Sequence, residues 1–351
     1  MHLKLNIVEA RRQGLAIDLE AVTDLIVRTQ RPDGDIPWSP GDKTDPWDLV
    51  EAAMGLNVGG RTDRARAALR WLAARQLEDG SWYASYREGR PEDRTRDTNV
   101  SSYIAVGVFH DFLITGDRTF LSEMWPTLEK AVNFAAGFQA PGGEIYWAAS
   151  PEGVVDKMAL LTGSSSVYLS LKCALAAARA LGVERPAWRE ARETLGEAIR
   201  QRPYSFNMTK SRYSMDWFYP ILAGAVTGAE AQRRVLRHWH KFVVRGQGVL
   251  CVADAPWVTL AETSELVLAL SAMGNHSLAK IVFSWIQDRV YEDGSYWAGF
   301  TVPEIVIWPE DRITWTNAVM LLAADALYGL TPAGRLFSHR FWEFYGAGAV
   351  P

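Results

Sequence analysis

The sequence predicts an all-α protein in which six helical hairpins close into one ring, an (α/α)6 toroid with its long loops on one rim. Three observations carry this prediction. Apolar residues recur with helical periodicity along most of the 351 residues, short connections alternate with long ones, and nearly all-apolar helices alternate with helices charged on one face. Residues 1–351 are therefore expected to form a single catalytic domain, with 330–351 as a C-terminal tail. An open solenoid of helix pairs is the alternative, and six repeats without a polar capping repeat favour closure.

Twelve segments have helical periodicity, and two kinds of connection join them. Short turns such as "GGR" (59–61) and "TGD" (115–117) place a glycine at a helix end, where a left-handed residue terminates the helix at little cost. The remaining connections are long and are predicted to lie together on one rim. The predicted helices span 7–29, 46–59, 61–77, 97–115, 117–138, 161–182, 184–200, 213–227, 229–243, 258–273, 275–290 and 312–328.

A recurring phrase begins several of the long loops. It reads "QRPDGDIPW" at 30–38, "QLEDGSWYASY" at 76–86, "QAPGGEIYW" at 139–147 and "YEDGSYWAGF" at 291–300. Each copy follows an outer helix that is charged on one face. The phrase therefore marks the start of a long loop, where the glycine turns the chain. Trp82 is expected near the mouth of a cleft on this rim.

Composition excludes several classes of function. The net charge of −4 and the pI of about 5.9 give no sign of a nucleic-acid partner. No apolar stretch of about 20 residues is free of charge, which predicts no membrane span. The N-terminal residues lack the apolar core of a signal peptide, and Cys173 and Cys251 are interpreted as buried reduced thiols. A cytoplasmic location is the resulting expectation.

The first turns of the inner helices bring carboxylates to the long-loop rim. "TDPWDLVE" supplies Asp45 and Asp48, and "TLAETSE" supplies Glu262 and Glu265. Asp45, which precedes a proline, could equally be a helix cap, and acidic residues in a first turn also suit the helix dipole. Glu262 and Asp48 lie past the cap position beside apolar residues. That placement makes them the strongest candidates for acid–base chemistry.

Nine of the fifteen tryptophans lie in long loops or at the starts of inner helices: Trp38, Trp47, Trp82, Trp147, Trp217, Trp257, Trp297, Trp308 and Trp315. Aromatic faces beside carboxylates, arginine and asparagine suit a neutral ligand with many hydroxyl groups. They equally suit a carbocation, through cation–π contact, and packing among the loops is the third explanation. The residues predicted to bind the ligand are Trp47, Arg96, Asp97, Asn99, Tyr213, Asp216, Trp217, Trp257, Glu265, Trp308 and Trp315.

Three sets of segments carry resemblances to known families. "DTNVSSYIAVGVFHDFL", with "TGDRTFLSEMWPTLEKAVNFAAGFQAPGGEIYW" after it (115–147), resembles the six-hairpin glycosidases, glucoamylase-like enzymes in particular. The repeated Gln–Gly–Trp phrase resembles the QW motif of squalene-hopene-type cyclases and their prenyltransferase-like relatives. "DPWDLVEAAMGL", "RYSMDWFYPILAG" and "PWVTLAETSELVLAL" are similar to the actinobacterial hydrolases of methylmannose polysaccharides. This last resemblance implies a cytosolic, endo-acting, inverting α-(1→4)-mannosidase on 6-O-methylmannose chains, with Asp45, Asp48 and Glu262 to be tested as its catalytic residues.

The cyclase and prenyltransferase alternatives lack their reactive groups in this sequence. Class II terpene cyclases protonate an alkene with an aspartate of a DxDD motif, and neither "EDRTRD" (92–97) nor "PEDR" (309–312) matches it. Prenyltransferases hold zinc with clustered Asp, Cys and His. Here the two cysteines are isolated, and His238 and His240 point in different directions on an outer helix. A metal site is therefore not predicted.

The preferred hypothesis is a glycoside hydrolase that acts on an oligosaccharide or polysaccharide without a cofactor. One carboxylic acid would protonate the leaving oxygen while a carboxylate roughly 6.5–9.5 Å away activates water. Asp48, with Asp45, is placed on one side and Glu262 on the other. The apolar setting of Glu262 favours the acid role, and water activation by Glu262 is the alternative. A terpenoid-binding or non-catalytic glycan-binding toroid remains the competing hypothesis, and assembly into a homo-oligomer is left open.

Overall fold

Helices make up most of the computed structural model, which describes residues 2–346. In chain order they are α1 (His2–Arg12), α2 (Leu19–Thr29), α3 (Pro46–Val58), α4 (Thr62–Ala73), α5 (Thr98–Ser102), α6 (Ile104–Thr115), α7 (Arg118–Ala136), α8 (Leu161–Leu181), α9 (Pro186–Gln201), α10 (Ser214–Leu222), α11 (Gly228–Phe242), α12 (Leu260–Ala272), α13 (His276–Ser284), α14 (Thr314–Tyr328) and α15 (His339–Gly346). Short 3-10 helices span Pro203–Ser205, Met208–Arg212 and Pro332–Arg335. Within this described part of the chain, every helix is too short or too polar to cross a membrane.

The inner helices form a closed ring. Helices α3, α6, α8, α10, α12 and α14 each pack against the next, and α14 packs against α3. Helices α2, α4, α7, α9, α11 and α13 lie outside them and pack on inner neighbours. The contrast between the two layers follows from the sequence, because all residues of α12 are buried whereas α4 buries one stripe that includes Ala65, Ala68 and Leu72. The predicted (α/α)6 toroid is confirmed.

Two of the predicted helices are interrupted. The segment predicted as 7–29 divides into α1 and α2, because Gly14 takes a positive φ of 102° and Asp18 caps α2 through the amides of Glu20 and Ala21. The segment predicted as 97–115 divides at Tyr103 into α5 and α6. On the opposite rim the predicted short turns are confirmed, with Gly116 ending α6 in the left-handed conformation.

The long loops contain three small antiparallel sheets that helical periodicity does not reveal. One orders its strands β1–β2–β3, a second β4–β5–β6 and a third β10–β9–β8–β7. Each sheet joins strands from different loops and so ties neighbouring hairpins together across the rim. The strands are β1 (Lys43–Thr44), β2 (Ser85–Arg87), β3 (Arg90–Asp93), β4 (Arg96–Asp97), β5 (Tyr146–Ala149), β6 (Val155–Ala159), β7 (Val243–Val244), β8 (Gly248–Leu250), β9 (Trp257–Thr259) and β10 (Gly299–Thr301).

The recurring phrase joins one hairpin to the next. In the copy at 76–86, the Gln76 side-chain amide donates to Gly80 O at 3.0 Å inside the turn and to Thr127 O at 2.8 Å on α7. A side chain at Gly80 would overlap the carbonyl oxygen of Lys130 on the same outer helix. Trp82 is fully buried and donates its indole N–H to Leu72 O at 2.8 Å. The prediction that Trp82 lies at the cleft mouth is therefore wrong.

The other copies of the phrase also link one hairpin to the next. Gln30 donates to the turn at Gly34 and to Arg64 O on α4, and Gln139 makes the corresponding bonds to its own turn and to α9. The copy at 291–300 has no glutamine, and its Asp293 forms an ion pair with Arg28 of α2. The last copy therefore links the final hairpin to the first.

The aromatic tail packs on the toroid's own short-turn rim. Tyr345 donates its hydroxyl to Ala176 O at 3.2 Å, and the Trp342 ring lies 5.9 Å from that of Phe109. Helix α15 thus covers the end of the ring opposite the long loops. Residues 347–351 of the predicted tail lie outside the described residues. Assembly with a second copy remains a prediction.

Candidate active site

A cleft of about 410 Å³ opens on the long-loop rim, where the inner helices begin. Its lining comes from the first turns of α3, α5, α8, α10, α12 and α14 and from the loop strands beside them. Seven carboxylates line it: Asp45, Asp48, Glu51, Asp93, Asp97, Glu262 and Glu265. So many carboxylates in one cleft indicate a catalytic site or a binding site for a polar ligand.

The start of α3 holds two of these carboxylates side by side. Asp45 is the N-cap of the helix, as the alternative explanation predicted, and accepts from the Asp48 amide at 2.9 Å. Its second oxygen accepts from the indole N–H of Trp38 at 2.8 Å. Asp48 follows one turn later and faces the cleft. Desolvation by the surrounding protein raises the pKa of Asp48 well above its usual value, and the negative charge of Asp45 raises it further.

Glu51 extends this wall by one more turn. Its side chain is buried and accepts from the hydroxyl of Tyr103 at 3.2 Å. Burial raises the pKa of Glu51 to about 7. Glu51 was not predicted as a site residue, although its spacing of three from Asp48 places both side chains on one face of α3. Nothing in the sequence pattern pointed to Tyr103.

Helix α12 supplies the facing carboxylates. Glu262 and Glu265 are 8% and 6% exposed, and Glu262 Oε2 has no hydrogen-bond partner among the described residues. Burial, and then the charges of Glu51 and Glu262, raise the pKa of Glu265 well above its usual value. Helices α3 and α12 both pack against α14, so the two acidic groups flank the start of α14, where Trp315 lines the cleft.

Within the described part of the chain, the cleft carboxylates lie without cationic partners. Among the described residues, no lysine or arginine forms an ion pair with Asp45, Asp48, Glu51, Asp97, Glu262 or Glu265. Lys43 lines the cleft with its amino group 4.1 Å from the centre of the Trp38 ring. Residues 2–346 also contain no group of three or more His, Cys, Asp or Glu side chains placed to hold a metal ion.

The third wall combines a helix cap with unpaired polar atoms. Asp97 caps α5 by accepting from the Asn99 amide at 2.7 Å, and burial raises the pKa of Asp97 to about 6. The side-chain oxygen of Asn99 and the indole N–H groups of Trp147 and Trp315 are buried without partners among the described residues. Buried polar atoms are normally hydrogen-bonded, so three such atoms in one cleft indicate a place for a ligand's hydroxyl groups.

The structure brings a subset of the predicted site residues into the cleft. The residues that line it are Asp45, Trp47, Asp48, Asp97, Asn99, Glu262, Glu265 and Trp315. Those that lie elsewhere are Arg96, Tyr213, Asp216, Trp217, Trp257 and Trp308.

Two of the residues outside the cleft support its walls. Asp216 lies behind the cleft and accepts from the hydroxyl of Thr162 at 2.7 Å, so it positions a lining residue that sequence reasoning missed. Arg96 pairs with Asp79 at 2.6 Å and donates to Ser150 O at 2.9 Å, which braces two loops.

Trp217 faces away from the cleft. It is 2% exposed, stacks on Phe242 at 5.4 Å and donates to Arg234 O at 2.9 Å. The prediction that Trp217 binds the ligand is therefore wrong, because the residue packs between α10 and α11.

The last three predicted residues lie on the rim surface outside the cleft. The Trp257 indole donates to Trp308 O at 2.8 Å, and their rings meet edge to face at 5.1 Å. Trp308 and Tyr213 are 58% and 38% exposed. Ligand binding by Tyr213, Trp257 and Trp308 remains a prediction.

A closed ring of six helical hairpins, here with an acidic and aromatic cleft on its loop rim, is a fold that occurs among solved glycosidases. Among solved structures, the chain is similar to the GH63 mannosylglycerate hydrolase from Thermus thermophilus, with a TM-score of 0.66 and 12% identity over 88% of this chain and 98% of that one. It is also similar to a D-mannose isomerase, with a TM-score of 0.63 and 11% identity over 87% and 95%. At these identities the likeness shows the fold alone. No family model matches the chain.

Sequence similarity identifies the family within this class. The chain is 49% identical over 312 residues to the MMP endo-(1,4)-3-O-methyl-alpha-D-mannosidase of Mycolicibacterium hassiacum, covering 89% of this chain and 86% of that protein. The chain belongs to the family of that enzyme and is a glycoside hydrolase, as the sequence predicted. The relative's name places the methyl group on O3 of mannose, whereas the resemblance implied O6.

Proposed function

We propose that this protein is an endo-acting hydrolase of α-(1→4)-linked 3-O-methylmannose chains. The name of the relative at 49% identity supports the substrate and the linkage, and it replaces the O6 expectation by O3. The observation that carries the proposal is the pair of acidic walls, with Asp48 on α3 and Glu262 on α12, in one open cleft. A terpenoid ligand would call for a sealed apolar cavity, and this cleft is acidic.

The environments of the two carboxyl groups support an assignment of their roles. Desolvation by the surrounding protein and the negative charge of Asp45 raise the pKa of Asp48, which favours its protonated form, so we assign to Asp48 the protonation of the leaving oxygen. Glu262 Oε2 has no partner among the described residues and accepts a proton from water, which attacks the anomeric carbon from the opposite face. Glu262 is thus assigned the role of base, whereas its apolar setting in the sequence favoured the role of acid.

The rest of the cleft suits a partly methylated sugar. The buried polar atoms of Asn99, Trp147 and Trp315 are available to hydroxyl groups, and the Trp47 ring, which stacks on Tyr103 at 4.8 Å, adds aromatic surface to the lining. Ile145, Leu160 and Met215 add apolar surface to the lining. A methyl ether cannot donate a hydrogen bond, so apolar neighbours accommodate it without leaving a polar atom unpaired.

The first test is the loss of activity in the two carboxyl variants. Asp48→Asn and Glu262→Gln should each fold normally and lose activity on 3-O-methylmannose oligosaccharides by roughly 10³-fold or more, since each removes an acid–base group. Asp63→Asn and Glu230→Gln, exposed on the outer helices α4 and α11, are matched controls that should keep full activity. Normal activity in both cleft variants would refute the assignment and turn attention to Glu51 and Glu265.

The second test separates acid from base. A dinitrophenyl glycoside has a leaving group that needs no protonation, so Asp48→Asn should recover most of its activity on it while Glu262→Gln should not. The opposite pattern would exchange the two roles. An NMR time course that shows the β-anomer as the first product would establish inversion, and first release of the α-anomer would establish retention.

We also propose a cytoplasmic location. Cys173 and Cys251 are both unpaired, which suits a reducing compartment. Fractionation of cells that express the tagged protein would test this directly, with recovery outside the cytoplasmic fraction as the contrary result.

A further inference from the structure

A second cavity, of about 920 Å³, lies on the short-turn rim. It is bounded by the C-terminal half of α8, the start of α9, the turn after α10 and helix α15, and it shares no lining residue with the catalytic cleft. Helix α8 reaches both sites, with Ser164 in the cleft and Lys172 in the second cavity. At 1.5 Å per residue the two positions are roughly 12 Å apart along the helix.

The lining of this cavity is strongly basic although the whole chain has a net charge of −4. Its basic residues are Lys172, Arg179, Arg185, Arg189 and Arg192, of which Arg185 is paired with Glu129. Its acidic residues, Glu184 and Glu343, are both exposed. Positive charge concentrated in a concave surface attracts anions.

Lys172 carries a buried amino group that has no anionic partner in the part of the chain that the structure describes. It is 6% exposed and donates to Ala223 O at 2.9 Å, and its amino group lies 4.6 Å from the centre of the Trp342 ring. Among the described residues no carboxylate forms an ion pair with it, and burial lowers the pKa of Lys172 to about 7. A Cβ at Gly224 would lie 2.8 Å from the Lys172 amino group, so glycine leaves the space that this group occupies. A buried ammonium without a counterion is costly, and an anion bound beside it would offset that cost.

Two arginines on α9 complete an anion-binding arrangement. Arg189 and Arg192 are three residues apart and therefore lie on one face of the helix. Arg192 reaches a carboxylate only at 3.5 Å, that of Glu193 next to it, and no carboxylate of the described residues pairs with Arg189. The planar guanidinium group binds phosphate oxygens in pairs, which favours phosphate over a single carboxylate.

We propose that this cavity binds a phosphate ester of roughly nucleotide size, with its phosphate between Lys172, Arg189 and Arg192. The organic part of the ligand lies against the rings of Trp342 and Tyr168, which line the same cavity. The volume of about 920 Å³ is within the range of small-molecule binding sites. Nucleotides and sugar phosphates share the required chemistry.

Isothermal titration calorimetry on the full chain tests this site with pyrophosphate, ADP and glucose 6-phosphate as probes. At least one ester should bind with a dissociation constant below roughly 1 mM, and Arg189→Gln and Arg192→Gln should each weaken binding about tenfold. Tighter binding of ADP identifies a nucleotide, and tighter binding of glucose 6-phosphate identifies a sugar phosphate. No binding of any probe, or equal binding by the wild type and both variants, would overturn the proposal.

Three further proteins make the result specific. Arg233→Gln removes an exposed positive charge on α11, outside the cavity, and should bind as the wild type does. Lys172→Met removes the buried cation at similar side-chain length, should remain folded by circular dichroism and should bind about tenfold more weakly. Asp48→Asn should bind with wild-type affinity. Weaker binding by Asp48→Asn would place the probe in the catalytic cleft and contradict a separate site.

Discussion

Buried carboxylates occur near both rims of the toroid, but their partners differ. Near the short-turn rim, Asp111 is fully buried and pairs with Arg66 at 2.9 Å. Asp325, also buried there, accepts from the amide and the hydroxyl of Thr331, both at 2.6 Å. On the long-loop rim, Asp48 and the carboxylates around it have no cationic partner among the described residues.

This difference separates structural charge from functional charge. A buried carboxylate with a cation and fixed donors contributes to the packing of its helix, and removal of one partner leaves the other uncompensated. In the cleft, burial and neighbouring carboxylates raise the pKa values of Asp48, Glu51 and Glu265, which is the condition for proton transfer near neutral pH. Substitution of a carboxylate paired with a cation is therefore expected to change stability and not activity, whereas substitution of a cleft carboxylate is expected to change activity.

A large effect on stability is expected for Asp111→Asn. The substitution leaves Arg66, which is 16% exposed, with Asp117 alone, and we expect a loss of about 3 kcal/mol in the free energy of unfolding. Activity per folded molecule should be unchanged. Urea unfolding and steady-state kinetics on the same preparation would check both, and unchanged stability would show that this pair is not structural.

Substitution of one glycine at each rim tests how tightly the backbone packs there. At Gly80, where φ is 93°, a side chain would meet the carbonyl of Lys130, so Gly80→Ala should cost about 3 kcal/mol. At Gly116, where φ is 66° and an added Cβ would meet no atom within 4 Å, Gly116→Ala should cost about 1 kcal/mol for the left-handed conformation alone. Equal losses in the free energy of unfolding, measured in urea, would contradict the close contact between Gly80 and α7 at the loop rim.

Glu51→Gln should stabilise the protein at high pH. The pKa of Glu51 is about 7 in the folded protein against 4.5 for the ordinary group, so the unfolded chain releases a proton that the folded chain retains between these values. The free energy of unfolding therefore falls as the pH rises from 4.5 to 7 and stays low above 7. The variant, neutral at every pH, should be more stable by about 3 kcal/mol near pH 8 and by almost nothing near pH 4.

Thermal unfolding at both pH values measures this difference. Activity of Glu51→Gln should fall at the same time, because the charge that acts on Glu265 across the cleft is lost. If the variant is less stable than the wild type at pH 8, the charged Glu51 must be stabilised in the folded protein, which would contradict the raised pKa of this carboxyl group.

The smallest effect on stability is expected for Trp308→Ala. Trp308 is 58% exposed at the loop rim, so its removal should change the free energy of unfolding by less than about 0.5 kcal/mol. If it binds a sugar beyond the cleft, KM for long oligosaccharides should rise several-fold while kcat and the KM for short ones stay unchanged. Unchanged KM at every chain length would remove Trp308 from the binding residues.

Part of the site was predictable because it depends on local order. Asp45, Asp48 and Glu262 lie at the starts of apolar helices, and the start of every inner helix in a closed hairpin ring lies on the same rim. Glu51 could have been added by its spacing on α3. Trp82 misled because a tryptophan after a turn can pack inward, where its indole meets Leu72 O.

The sequence by itself determined the twelve helices of the ring and the alternation of wholly buried helices with helices that bury one face. It also determined the short turns and the acidic first turns, because periodicity and capping are local properties. Tertiary structure alone decided which side chains share the cleft. Trp217 and Tyr219 are two residues apart on α10, yet Trp217 packs outward on Phe242 while Tyr219 turns inward to the ring of Trp47. Helix rotation and the pairing of strands from separate loops depend on contacts between residues far apart in the chain, and no local pattern encodes them.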